Sequence, residues 1–208
     1  MKPYIISITG PSGSGKTALV SKLQQLYPKD ILQSLRGDCF YKDQSSLTKE
    51  DRSGLNYDVP EAFEFQLLNQ KLQELKDNHT VEVPTYDFKT HTRTEKTITI
   101  QPSPIIIIEG ILILADEKIR STADCNVFIN TPIDICLLRR IRRDCVERDR
   151  DPNSVLNQYE QTVRPMLHKH LLPLEQYAHQ SLPDGGWNEV ALKWMCETID
   201  ANLNARLG

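Results

Sequence analysis

The chain has 208 residues, 39% of them hydrophobic, with 25 Lys and Arg against 28 Asp and Glu for a net charge of −3. That size and apolar content support one good core, read as a single α/β domain over residues 1–208, and the mildly acidic balance excludes a global attraction to nucleic acid. Five cysteines, Cys39, Cys125, Cys136, Cys145 and Cys196, lack C-x-x-C spacing and read as reduced thiols, and no apolar run approaches the ~18 residues of a membrane span, so a cytoplasmic protein is expected.

Tyr4 to Thr9 is a β-branched apolar run that reads as a buried strand and starts too near Met1 to leave room for a signal peptide. It delivers Gly10-Pro11-Ser12-Gly13-Ser14-Gly15-Lys16-Thr17, a P-loop. Its glycines let backbone N–H groups turn inward around phosphate oxygens, Lys16 reaches the β and γ phosphates, and the Thr17 hydroxyl can hold Mg²⁺. A helix from about Gly15, amphipathic over Ala18 to Leu26, adds its positive dipole end.

A short strand is predicted around Ile31 to Leu35, ending at Asp38, and a helix over Ala62 to Leu75 after Pro60. Thr80 to Val83 and Thr94 to Ile100 bracket a polar, aromatic segment and predict a protruding hairpin over about 80–100. Ile105 to Ile108 has the composition of a fully buried parallel strand and delivers Glu109 and Gly110. Asn126 to Asn130 reads as another strand, and Pro132 opens a helix through about Val146. A helix from about Ser154 to Val163, a break near Pro165 and an amphipathic helix after Trp187 follow. The expected fold is a P-loop NTPase-like parallel sheet with helices on both faces. Ligands gather at the carboxyl ends of such strands, so Gly10, Asp38, Glu109 and the segment after Asn130 should converge on one cleft.

A P-loop serves motors, switches and kinases alike, and the acceptor side discriminates among them. Asp38, among apolar and aromatic neighbours, could take the proton of an attacking hydroxyl; the alternative is an Asp capping the turn after a strand. Arg139, Arg140, Arg142, Arg143, Arg148 and Arg150 are either a solvated face or a lid over the triphosphate, expected over about 139–153. All six basic positions are arginine, whose planar fork suits phosphate oxygens and stays charged when desolvated. Pro84 to Arg93 concentrates Tyr86, Phe88 and His91, suited to a planar ring and its edge; the alternative is a surface hairpin with a polar tip. The other histidines, His79, His168, His170 and His179, show no zinc-type spacing.

The P-loop, Asp38-Cys39-Phe40-Tyr41-Lys42-Asp43, Asn56-Tyr57-Asp58-Val59-Pro60, Val83 to Phe88 with His91-Thr92-Arg93, Ile108-Glu109-Gly110-Ile111-Leu112, Arg139 to Arg150, Gln158-Tyr159 and Val163-Arg164-Pro165 together resemble the uridine kinase, or uridine-cytidine kinase, family. They stand in family order from about Ile5 to Pro183. The resemblance implies transfer of the γ-phosphate of ATP or GTP, with Mg²⁺, to the 5′-hydroxyl of uridine or cytidine. It implies Asp38 as catalytic base, Asp58 on the ribose hydroxyls, Tyr86 and His91 at the pyrimidine, and Arg140, Arg150 and Gln158 as further nucleoside contacts. On the donor side it implies Gly10, Ser12, Gly13, Ser14, Gly15, Lys16, Thr17, Arg143 and Arg148 around the phosphates, with Thr17 and Glu109 managing the metal. A homotetramer and feedback by CTP or UTP belong to the same expectation.

The sequence departs from the family where Asp149, in place of the usual glycine, separates two lid arginines, and at Asp184 and Trp187 after the last strand. Trp187 could stack on the donor purine or pack under the final helix. Phosphoribulokinase and pantothenate kinase share the P-loop and lid logic with other acceptors; a nucleotide-dependent switch is the non-synthetic alternative, although no Asn-Lys-x-Asp guanine signature is present.

Overall fold

The computed structural model describes residues 2–207. Five parallel strands form the sheet: β1 (Tyr4–Thr9), β2 (Leu32–Arg36), β5 (Ile105–Gly110), β6 (Cys125–Asn130) and β7 (Gln180–Pro183), in spatial order β2-β5-β1-β6-β7. The hairpin strands β3 (Val81–Asp87) and β4 (Thr92–Ile100) pair separately and antiparallel. Helices α1 (Lys16–Leu26), α2 (Lys49–Ser53), α3 (Phe65–Lys76), α4 (Glu117–Thr122), α5 (Ile133–Glu147), α6 (Pro152–Gln158), α7 (Arg164–Met166) and α8 (Glu189–Leu207) complete the chain.

The unbroken isoleucine run of β5 follows from burial on both faces. Ile105 and Ile107 join Ile6, Ile8, Val127 and Ile129 under α1 and α8, through Leu19, Leu23, Ala191 and Met195. Ile106 and Ile108 face the other way, with Ile5 and Leu35, against Leu68, Leu72 and Leu75 of α3 and Ile119 of α4. Each such side chain contributes about 1.5–3 kcal/mol relative to exposure, which outweighs the missing polar alternation a one-sided strand would show. β7 borders the sheet, and of its residues only Leu182 is buried, which accounts for its polar composition.

Register aligns the functional strand ends. Thr9 is opposite Gly110, and Arg36 is opposite Glu109, so the P-loop, the turn bearing Asp38 and the Glu109 carboxylate emerge from one edge of the sheet.

Three expected boundaries move. The helix after Pro60 begins at Phe65, because residues 60–62 form a separate turn and Phe63 is extended, bridging antiparallel to Tyr41. The hairpin strands run further toward the tip than expected, so Tyr86 and Arg93 lie opposite each other within the ladder. There is no break near Pro165. From α6 the chain widens to π-helix over Tyr159–Val163, passes through α7, and widens again over Leu167–Leu171. The Arg164 N–H donates to the Tyr159 carbonyl five residues back, and this wider turn gives room for a proline ring that has no N–H to contribute.

Candidate active site

The P-loop is built for close backbone approach. Gly13 and Gly15 take φ of 86° and 95°, the left-handed region, and a Cβ on Gly15 would lie 2.8 Å from the Trp187 ring. Lys16 is buried, and its ammonium donates to the carbonyls of Gly10 at 2.8 Å and Pro11 at 2.9 Å. Burial pulls its pKa down, opposed by the Glu109 and Asp38 carboxylates. Thr131, just beyond β6, donates to the Ser14 carbonyl at 2.8 Å and pins the loop from below. Ser14 Oγ is buried without a hydrogen-bond partner.

Beside the loop, Thr17 Oγ1 donates to Glu109 Oε1 at 2.9 Å. Burial raises the Glu109 pKa, and the Asp38 charge raises it further, while Lys16 and Thr17 oppose the shift. Asp38 lies in the tight turn Gly37–Phe40, and its Oδ1 is buried without a partner. No group of three or more His, Cys, Asp or Glu side chains is arranged to hold a metal among the described residues. A phosphate-bound divalent ion would instead find one hydroxyl, one carboxylate and the unpartnered Asp38 oxygen. That sparse oxygen set suits an ion that keeps phosphate and water ligands.

A second pocket opens alongside. Ser12, Asp38, Asp58, Tyr86, His91, Arg140, Arg143, Arg148, Arg150 and Gln158 line it together with Tyr41 and Tyr57. The hairpin is tied down at its tip end by Arg93 to Glu64 at 2.7 Å and by Thr92 to Asp43 at 3.2 Å. His91 holds φ at 53° and stacks on Tyr57 with centroids 5.2 Å apart, while Tyr41 contacts both Tyr57 and Tyr86. Burial and the nearby Arg150 and Arg148 lower the His91 pKa. The Arg148 guanidinium sits 4.2 Å over one face of the Phe88 ring, which also lines this pocket.

Apart from the exposed Arg142, the arginine run is not a solvated face. Arg139, Arg140, Arg142 and Arg143 lie on α5, and Arg148 and Arg150 on the loop after it. Arg143 donates to Ser12 Oγ at 3.2 Å, whereas Arg140 and Arg150 both donate to Gln158 Oε1, at 3.1 and 2.6 Å. At the centre is Asp144, fully buried, with Arg143 at 2.8 Å, Arg148 at 3.4 Å, Arg150 at 3.7 Å and Arg140 at 3.8 Å. Sequence reasoning passed over Asp144. The signal was its spacing of four residues from both Arg140 and Arg148, which places one carboxylate inside the cluster.

The positions that depart from the family also find physical roles. Asp149 holds φ at 59°, a conformation that suits glycine and that Asp tolerates better than most residues. Trp187 is 59% exposed rather than packed under α8, and the Arg139 guanidinium lies 4.3 Å over its ring. Asp184 fixes that guanidinium at 2.6 Å. Trp187, Lys16, Arg143 and Tyr86 all border one large open cleft, so the anion cradle and the aromatic arm face each other.

A parallel sheet with a P-loop, a carboxylate at the neighbouring strand end, an arginine lid and a second pocket defines a P-loop small-molecule kinase. The fold agrees with solved structures: phosphoribulokinase from Rhodobacter spheroides (TM-score 0.60, 17% identity, covering 85% of this chain and 68% of that one) and D-glycerate 3-kinase from Cryptococcus neoformans (TM-score 0.60, 17% identity, 84% and 80%). The chain belongs to the phosphoribulokinase / uridine kinase family, whose signature matches residues 5–191. Among curated relatives, uridine kinase of Limosilactobacillus reuteri is 42% identical over 198 residues, covering 95% of this chain and 91% of the relative. Uridine kinase of Vibrio cholerae is 45% identical over 192 residues, covering 90% of each.

Proposed function

We propose that the protein is a uridine/cytidine kinase, transferring the γ-phosphate of ATP or GTP to the 5′-hydroxyl of uridine or cytidine to give UMP or CMP in pyrimidine salvage. The observation that carries the reading is the shared cleft, in which Lys16 of the anion cradle and Tyr86 of the aromatic arm line the same space. Identity above 40% with uridine kinases over nearly the whole chain supports it.

In this reading the backbone of Gly10 to Gly15 cradles the phosphates, with the Ser12 and Ser14 hydroxyls among their contacts, and Lys16 neutralises the charge that moves with the γ-phosphoryl group. Thr17 and Glu109 would hold Mg²⁺, which would supply neutralisation of phosphate charge. Asp38 accepts the 5′-hydroxyl proton, and Asp58 accepts from the 2′ and 3′ hydroxyls. Tyr86 and His91 frame the pyrimidine, and a neutral imidazole presents either a donor or an acceptor to the 4-position, accommodating both bases. Arg140, Arg150 and Gln158 complete the nucleoside side, while Arg143 and Arg148 close on the triphosphate and exclude water.

Residues 1–208 act as one kinase domain, with the hairpin over the acceptor and the arginine lid over the donor. Homotetrameric assembly and a cytoplasmic location belong to the same proposal; among the described residues no helix is long and apolar enough to cross a membrane. The test is phosphoryl transfer from ATP and GTP to a panel of nucleosides, ribulose 5-phosphate and pantothenate, with products identified by mass. UMP and CMP are expected, and turnover of a non-nucleoside acceptor alone would overturn the assignment.

A further inference from the structure

The Asp144 carboxylate divides its two oxygens between the two halves of the site. Oδ1 takes Arg143, through Nε at 2.9 Å and Nη2 at 2.8 Å, and Arg148 at 3.4 Å. Oδ2 faces Arg150 at 3.7 Å and Arg140 at 3.8 Å. The first pair borders the P-loop side, where Arg143 reaches Ser12, and the second pair shares Gln158 at the acceptor pocket. Oδ2 and Arg140 Nε are both buried and neither makes a hydrogen bond, so the acceptor-side half of the cluster stands just short of closed. The Asp144 backbone carbonyl also accepts from the Arg148 and Arg150 N–H groups, at 3.3 and 3.2 Å, which ties the loop carrying both arginines to the same residue.

We infer that Asp144 is a positioning residue that couples the two substrates: it touches neither, and it transmits the placement of Arg140 and Arg150 by the nucleoside to Arg143 and Arg148 at the phosphates. Four guanidiniums around one fully buried carboxylate cannot move independently. A shift that lets Arg140 close onto Oδ2 changes the field in which Oδ1 holds the donor-side pair. A nucleoside that orders the acceptor pair therefore prepares the donor pair, and linkage requires the effect to run equally in reverse. The inference rests on the nucleoside kinase reading above.

Calorimetry on the full chain tests it, using uridine and the Mg²⁺ complex of β,γ-imido ATP, each titrated alone and in the presence of the other. Wild type should show uridine tightening the analogue by at least about 5-fold, with the same factor in reverse. Asp144→Asn should bring that factor to about 1 while still binding each ligand alone, a split that a merely loosened fold would not produce. Should Asp144→Asn not fold, Asp144→Glu, which keeps the charge and displaces it by one methylene, carries the comparison, with a coupling factor reduced at least about twofold from wild type expected. A wild-type coupling factor of 1, or a wild-type-sized factor in either variant, overturns the inference. Failure of wild type to bind uridine at all overturns the nucleoside reading, and this inference with it.

Discussion

Replacing Asp58 by asparagine should weaken uridine binding while strengthening the empty fold. Among the described residues the carboxylate accepts no hydrogen bond from the protein. Burial raises its pKa, and the attraction of Arg140 only partly offsets this. Both oxygens are thus free for the two ribose hydroxyls. A hydrogen bond to a charged group contributes about 1.5–3 kcal/mol and a neutral one about 0.5–1.5, so loss of charge assistance costs roughly 1 kcal/mol per bond and about 2 in all. That corresponds to a Kd about 30-fold higher. Without ligand the sign reverses. A carboxylate whose folded pKa is raised binds more protons folded than unfolded, so its contribution is full below the unfolded value of about 3.9 and is lost as pH rises through the folded one. At pH 7 the neutral amide avoids that loss, and Asp58→Asn should melt above wild type. Titration calorimetry with uridine and thermal melts across pH 4 to 8 read both effects. A uridine Kd within threefold of wild type, or a lower melting temperature at pH 7, would refute the reasoning.

Asp38→Asn should cut kcat by at least about 10²-fold with uridine Kd held within a few fold, since positioning survives and proton acceptance does not; near-normal turnover would remove Asp38 from the mechanism. Trp187→Ala should raise the KM for ATP and GTP by about 2- to 10-fold, as a lost stacking surface of about 0.5–1.5 kcal/mol implies. Unchanged values for both donors would assign the exposed ring no part in nucleotide binding. His91 is held below its ordinary value by burial and by Arg150 and Arg148, so it carries less positive charge than a free imidazole at any pH near neutrality. Any change in the KM for uridine that His91→Gln abolishes should accordingly have its midpoint below pH 6.5, and a midpoint at or above 6.5 would refute the lowered value.

Much of the architecture was legible because burial leaves a compositional mark. Ile105 to Ile108 has the composition of a strand covered on both sides, and Gly13 and Gly15 of the P-loop hold the left-handed φ that glycine suits. Local signals failed where a neighbour decided the outcome. Phe63 is extended because Tyr41 bridges to it, and Pro165 passes without a break because the π-turn before it widens the helix. Phe88 and Trp187 were both offered as aromatic faces. Arg148 stacks on the first and Arg139 on the second, contacts that no local pattern predicts, and both rings still line the cleft.

The sequence by itself determined the strand order along the chain, the anion cradle and the inventory of chemical groups, since φ preference, hydrophobic period and side-chain type are properties of short segments. Only the tertiary structure decided that the cradle and the hairpin border one cleft, and that a single buried aspartate gathers arginines from two subsites. Such convergence depends on parallel register and on packing between residues up to a hundred or more positions apart, and no local pattern encodes those distances.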